Sequence, residues 1–349
     1  MAASSPEAPR PETKAQAESL LPRFQPTRIL NHDQSGRRIT LLGTVDSQQG
    51  LLTFERAAFD SSLTSTSLLL NSLTDLINLG ANDIYRWYLA NTPSSPDQHS
   101  LKVNLIWPCT EGHVRKYTAQ QLRYVTETPA VYNTHIKPWI ARTQRSAKRL
   151  DWIYNILDGI TEQEDVVYRS PMFGTCIKED KSDSEDFVLL LDLNWDRRTV
   201  TGLHLLALVE RRDLWSLRGL KRKHVHWLKH LRDEIVSAAA EVANKLVKEG
   251  EGAKVDEDQF KCYVHYQPTY YHFHVHVVHV MLEASGSTQA VGKAFGLENI
   301  ISQLEHMIGD DEAGMEEVDL TYFVGEESEL WKKCFKKLKE SEEVDLNDE

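Results

Sequence analysis

The sequence predicts an α+β chain: a mixed α/β N-terminal domain followed by a second domain built on an antiparallel sheet and a long helix. Three observations predict it. Short alternating strand-like runs dominate the first third, a helical stripe runs from about Lys223 to Lys248, and two histidine-bearing strands follow that helix. With 349 residues, 41% of them hydrophobic and 26% charged, the chain is long enough to bury two cores.

Residues 1–25 are rich in Ala, Ser, Pro and Glu, have little to bury and read as a disordered tail. From Arg38 the runs ITLLGTV and GLLTFERAAF flank a polar Ser-Gln-Gln-Gly turn, the pattern of a hairpin. Further strands are expected around Asp83 to Tyr88 and Val103 to Trp107. Helical signals begin at Thr118 in TAQQLRYVTET and return in RTQRSAKRLDWIYNILDG. There Leu150, Ile153 and Leu157 recur at helical spacing and Gly159 offers a stop. These elements set an N-terminal domain at 26–150 and a linker or hinge at 151–186, ending in the polar, loop-like SPMFGTCIKEDKSDSED.

The second domain, 187–349, opens with the apolar run FVLLLDLNW and a strand-like LHLLALVE. In the long helix Val225, Leu228, Leu231, Ile235, Ala238 and Val242 fall on one stripe. The strands KCYVHYQ and YYHFHVHVVHV follow, joined by a tight turn at Pro268 and Thr269. GLENIISQLEHMI, a strand LTYFV, a charged helix and an acidic tail complete the chain.

The charge balance excludes some functions. A net charge of −12 argues against a long nucleic acid as partner, because such binding rests on many cationic contacts to phosphate. A short phosphorylated ligand held by a few local cations stays open. Crossing a bilayer takes about 20 apolar residues and no run approaches that, so no membrane role is expected; the N-terminus also lacks the apolar core of a secretory signal. Cys109, Cys176, Cys262 and Cys334 have no short paired spacing, so neither a zinc knuckle nor a disulfide framework is expected, and a reducing setting fits best.

The chemistry concentrates in YYHFHVHVVHV. On a strand, His272, His274, His276 and Tyr270 share one face, and Tyr271, Phe273, Val275 and Val277 line the other. Two physical readings compete for the histidine face: a zinc cage, since imidazoles two apart on a strand converge, and a nucleophilic site with supporting hydrogen-bond donors. For His265, on the preceding strand, spacing leaves two readings open: reaching the same site across the hairpin, or a structural role.

The string His272-Phe-His274-Val-His276-Val-Val is the signature of the histidine-triad (HIT) proteins, and the sequence resembles that family. The resemblance implies that His274 attacks a phosphate and forms a nucleotidyl-histidine, with His272 and His276 positioning it and binding phosphate oxygens. An imidazole suits both tasks, because its ordinary pKa near 6.5 makes it a neutral nucleophile or a charged donor.

Around the triad, WIYNILDGITEQEDVVY and DLNW resemble the scavenger mRNA decapping branch of that class, in its fungal form, from about Gly36 to Leu338. The resemblance implies that Trp152 stacks on a 7-methylguanine and that Glu162, ten residues on, bonds the base edge. Stacking a cationic base on indole adds a cation–π contribution to roughly 1–3 kcal/mol of stacking. Asp192 and Leu193 match a segment that contacts the methylated nucleoside. Asn194 stands where that segment has a lysine, and Arg197 or Arg198 is a candidate replacement. Asp83, Tyr85 and Lys116 align with N-terminal residues that close over the ligand, and Tyr270 with a tyrosine near the phosphates. Gly286 and Ser287 match a phosphate-facing loop, and Lys293 is the nearest match to the basic residue expected after it.

The implied activity is cleavage of the triphosphate of short m7GpppN fragments by a homodimer with exchanged N-terminal strands. Neither metal nor cofactor is required, and a cytoplasmic location with access to the nucleus is expected. The alternatives are a HIT hydrolase of dinucleoside polyphosphates, a cap-binding regulator with weak chemistry, and a zinc protein built on the same histidines.

Overall fold

A computed structural model describes residues 14–33, 37–57, 63–82, 85–92, 101–145, 149–192, 195, 197, 199–246, 254–282, 288–344 and 346. The chain divides into two compact units, Met1–Ala119 and Gln120–Glu349.

In the first unit, α1 (Lys14–Leu20) precedes β1 (Gln25–Asp33), β2 (Arg38–Val45) and β3 (Gln48–Arg56). Then come α2 (Leu63–Ser72), a hairpin of β4 (Thr74–Asn82) and β5 (Tyr85–Asn91), β6 (Leu101–Ile106) and α3 (Glu111–Tyr117). One sheet has the order β1-β2-β3-β6, and β4 pairs with β5 separately. A small core gathers Leu30, Leu51 and Val114. By contrast Leu63, Leu68, Leu70, Leu76, Ile77, Leu79 and Leu89, on and beside the β4–β5 hairpin, are all more than half exposed.

Three expectations for this region change. The tail contains α1, because Leu20 finds a buried position. The β2–β3 turn is Asp46–Ser47 rather than Ser-Gln-Gln-Gly. Both residues take positive φ, 49° and 68°, as a two-residue turn with the handedness of its strands requires. TAQQLRYVTET is not a helix. The helix lies earlier, as α3, capped by Thr110, whose side chain accepts from the His113 N–H. Leu122–Glu127 forms strand β7, which turns Val125 and Glu127 inward at period two.

β7 pairs with β14 (Leu320–Gly325), and Tyr132, Ile136, Trp139 and Ile140, on the helical stretch after it, enter the main core. Residues 120–150 therefore pack with the second unit, where the sequence suggested an N-terminal domain reaching 150. Residues 151–186 likewise contribute α4 (Asp151–Leu157) and β8 (Val166–Arg169) to that unit. Its remaining elements are β9 (Phe187–Leu191), β10 (His204–Val209), α5 (Val225–Leu246), β11 (Phe260–His265), β12 (His274–His279), β13 (Ala294–Gly296) and α6 (Leu297–His306). The polar stretch after β8 is a loop tethered by Ser184, whose Oγ donates to the buried Glu210 carboxylate at 2.6 Å.

The antiparallel sheet β13-β11-β12-β10-β9-β8 organises this unit. Its strands alternate between two apolar clusters. Phe187, Leu189, Leu205, Ala207, Val209, Val275 and Val277 join the main core with Leu228, Leu231, Ile235 and Ala239 of α5. Val188, Leu190 and Leu208 face the other way, onto Leu150, Ile153, Ile156 and Leu157 of and beside α4. Each fully buried aliphatic side chain contributes about 1.5–3 kcal/mol, and α4 covers only part of its face. The histidines occupy the rest.

Candidate active site

Strand register assembles the site. Leu206 lies opposite His276 and Leu208 opposite His274, and Tyr263 of β11 lies opposite His276. Residues opposite one another share a face, so β10, β11 and β12 present His204, His265, Tyr263, His274 and His276 together. The Tyr263 ring stacks on His276 at 5.1 Å and 10°, and His265 approaches the same ring at 4.2 Å.

His274 is 5% exposed. Its Nδ1 lies 2.7 Å from the His272 carbonyl oxygen, which only accepts, so Nδ1 carries the proton. Burial pulls its pKa down to about 4, offset by that hydrogen bond, and the ring is neutral near pH 7. A neutral imidazole has one proton, so Nε2 is a bare lone pair. The backbone has selected the nucleophilic tautomer.

His272 sits just before β12, not on it. The join between β11 and β12 is the segment 266–273 rather than a Pro-Thr turn, because Tyr271 and Phe273 dip into the main core and the Phe273 N–H donates to Leu214 O at 3.0 Å. The His272 ring is fully buried, its Nε2–H donating to Val209 O at 2.8 Å while its buried Nδ1 has no partner among the described residues. Burial lowers its pKa to about 3. With its N–H spent, His272 contributes the carbonyl that orients His274.

His276 Nδ1 and His204 Nε2 are 3.0 Å apart, and His204 Nδ1 is 3.7 Å from the Asp192 carboxylate. Sequence reasoning missed His204. Its only signal is a histidine heading the apolar run LHLLALVE, on the same side as Leu206 and Leu208. Asp192, His204 and His276 also form the one group among the described residues whose spacing would hold a metal ion. The ring–ring hydrogen bond needs a proton where a metal would need bare lone pairs, so one use excludes the other. His265 donates Nε2–H to Thr288 O at 2.7 Å, and burial, then the Lys293 charge, lowers its pKa to about 4.

Tyr270 stacks on His274, centroids 4.2 Å apart, and forms a T-shaped pair with Trp152 at 5.0 Å. Burial, then the charges of Asp192 and Glu162, push the Tyr270 phenol up. Trp152, in the first turn of α4, is 41% exposed. Gly159, at φ 80°, ends α4 as its sequence suggested, and Glu162 follows on the turn to β8 with φ 53°. Left-handed backbone at a non-glycine residue carries strain of order 1–3 kcal/mol and recurs at functional positions. Arg197 Nη1 is 3.1 Å from Asp165, whose N–H bonds Glu162 O, so that arginine is held at the Glu162 turn.

Lys293 immediately precedes Ala294, the register partner of His265. Its charge adds to burial in lowering the pKa of His265, His274 and His276. Lys116 lies exposed on α3 and Tyr85 opens β5, both in the first unit. Asp83, Leu193, Asn194, Arg198, Gly286 and Ser287 lie outside the described residues.

A cleft of about 710 Å³ elsewhere in this unit is lined by Lys137, Arg211, Lys221 and Lys223, each paired with a carboxylate. It shares no residue with the histidine face.

A buried histidine whose Nε2 is a bare lone pair, stacked aromatics beside it and a lysine just before β13 make an arrangement of the histidine-triad kind. Residues 19–120 match the scavenger mRNA decapping enzyme (DcpS) N-terminal family, and residues 151–292 match the scavenger mRNA decapping enzyme C-term binding family. The chain is 36% identical over 321 residues to the m7GpppX diphosphatase of Schizosaccharomyces pombe, covering 92% of this chain and 97% of that one. It is 35% identical over 266 residues to the Ascaris suum m7GpppX diphosphatase (76% and 79% covered), and 29% over 289 residues to that of Homo sapiens (81% and 77%). The chain belongs to the scavenger mRNA decapping enzyme family. No helix among the described residues is long and apolar enough to cross a membrane.

Proposed function

We propose that this chain hydrolyses the 5′–5′ triphosphate of short m7GpppN fragments, in the cytoplasm with access to the nucleus. His274 Nε2 attacks the phosphorus bonded to the methylated nucleoside, the bond to the bridging oxygen breaks, and a nucleoside diphosphate leaves. The ring becomes a cationic nucleotidyl-imidazolium whose Nδ1–H still faces the His272 carbonyl. Water then releases 7-methylguanosine monophosphate and regenerates the neutral ring. The observation that carries this reading is the 2.7 Å Nδ1 contact, which leaves Nε2 free to attack. Splitting one displacement into two lowers each barrier.

Trp152 is read as the stacking surface for the base and Glu162 as acceptor of its N1–H and N2–H groups. Asp192 is read as a contact to the nucleoside; Leu193 and Ser287, assigned to nucleoside and phosphates by resemblance, lie outside the described residues. Lys293 is read as the basic residue near the phosphates, and Arg197, held at the Glu162 turn, as a candidate for the cation missing at Asn194. The exposed leucines of α2 and the β4–β5 hairpin support a homodimer, because an isolated two-stranded hairpin is marginal in water and these side chains need a second copy to bury them.

The test is product analysis with methylated and unmethylated cap dinucleotide. Release of 7-methylguanosine monophosphate, with the methylated substrate strongly preferred, is expected. Equal turnover of both would favour a dinucleoside polyphosphate hydrolase, and binding without product a regulator. A stoichiometric ion in purified protein would favour the zinc reading.

A further inference from the structure

We infer that Glu127, at the end of β7, is a positioning residue for the cation Lys293, acting through Gln267. This rests on the reading above that Lys293 faces substrate phosphate.

Glu127 and Arg218 are both fully buried. Arg218 Nε donates to Glu127 Oε1 at 2.9 Å, and its Nη1 donates to Met315 O at 2.7 Å and Val318 O at 2.6 Å. The carboxylate also takes three neutral donors. Tyr266 Oη–H reaches Oε1 at 2.7 Å, and Gln267 Nε2 and Tyr322 Oη reach Oε2 at 3.0 and 2.6 Å. Replacing a buried ion pair by apolar residues of similar volume is often neutral or stabilising. Stability alone is thus a weak reason for this pair, and what it holds in place matters more.

What it holds is the start of the segment between β11 and β12. Gln267 is bonded at every polar side-chain atom: Nε2 to Glu127 and, at 2.9 Å, to Tyr322 Oη, and Oε1 to the Tyr271 hydroxyl. The Gln267 peptide is therefore fixed, and its carbonyl oxygen takes the Lys293 ammonium at 2.5 Å. Lys293 is tied there at both ends, since its own carbonyl accepts from the Tyr266 N–H at 3.0 Å. A free lysine keeps rotamer freedom that these two bonds remove. Anchored on Gln267, two residues from His265, the ammonium is close enough for its charge to act on His265, His274 and His276.

The test is a double-mutant cycle read as affinity for methylated cap dinucleotide, with all proteins carrying His274→Asn so that ligand is bound but not cleaved. Gln267→Leu leaves the Glu127–Arg218 pair intact and serves as the main variant; Glu127→Gln is added if it melts in one cooperative transition. Gln267→Leu is expected to weaken binding by about tenfold when Lys293 is present and by less than about twofold when it is Met, since contacting residues couple and independent ones add. Equal weakening in both backgrounds, or none in either, overturns the inference. Absence of cap binding by the His274→Asn parent would instead overturn the proposed function, and this inference with it.

Discussion

The Tyr270 ring lies over the His274 imidazole, centroids 4.2 Å apart and planes 29° apart, and also meets the Trp152 ring in an edge-to-face pair at 5.0 Å. One side chain thus links the proposed base-stacking surface to the proposed nucleophile. Such ring pairs are worth about 0.5–1.5 kcal/mol beyond their burial. Tyr270→Ala should therefore lower kcat/KM by about tenfold, while Tyr270→Phe keeps most of it. Equal losses in the two variants would assign the effect to the hydroxyl instead.

Trp152 is the exposed end of that chain of rings. Trp152→Ala should weaken affinity for methylated cap dinucleotide by about 1–3 kcal/mol and reduce the preference over the unmethylated analogue, because the cation–π part is lost with the stack. Titration of intrinsic fluorescence with both ligands checks this. Unchanged affinity would remove Trp152 from the base site.

The pH dependence follows from burial. His274 and His265 are held at about 4 and His272 at about 3, below the ordinary 6.5. Between those values the unfolded chain takes up protons that the folded chain refuses, so the stability tied to these rings is complete above about pH 6.5 and is lost as pH falls toward 4. The acid limb of kcat/KM, which reports the free enzyme, should fall well below 6.5, and denaturant midpoints should drop across the same interval. An acid limb centred at 6.5 would mean that His274 is not desolvated.

Substituting Leu76, Ile77 and Leu79 together by Ser should convert a dimer to a monomer without unfolding the second unit, whose main core these side chains do not enter. Light scattering on the purified variants measures it. A wild-type chain that is monomeric at micromolar concentration would contradict the strand-exchanged homodimer.

Much of this was legible in the sequence because it lies in periodicity. The α5 stripe, the alternation of Val275 and Val277 against His274 and His276, and the Gly159 stop all follow from local spacing. What stayed hidden depends on contacts distant in sequence. TAQQLRYVTET has helical residues, yet Val125 and Glu127 are drawn into a strand by β14, nearly 200 residues later. The Pro-Thr turn failed because Tyr271 and Phe273 sink into the core. His204 gave almost no signal, since one histidine on an apolar strand gains meaning only when register sets it diagonal to His276.

The central claim is that His274 Nε2 bonds to phosphorus. Rapid acid-free quenching of methylated cap dinucleotide with the enzyme, followed by peptide mass spectrometry, tests it most directly. A phosphoramidate-linked 7-methylguanosine monophosphate on the peptide containing His274, absent in His274→Asn, is the expected result. Full turnover with no such adduct, and oxygen-18 from water entering with inversion at phosphorus, would contradict it.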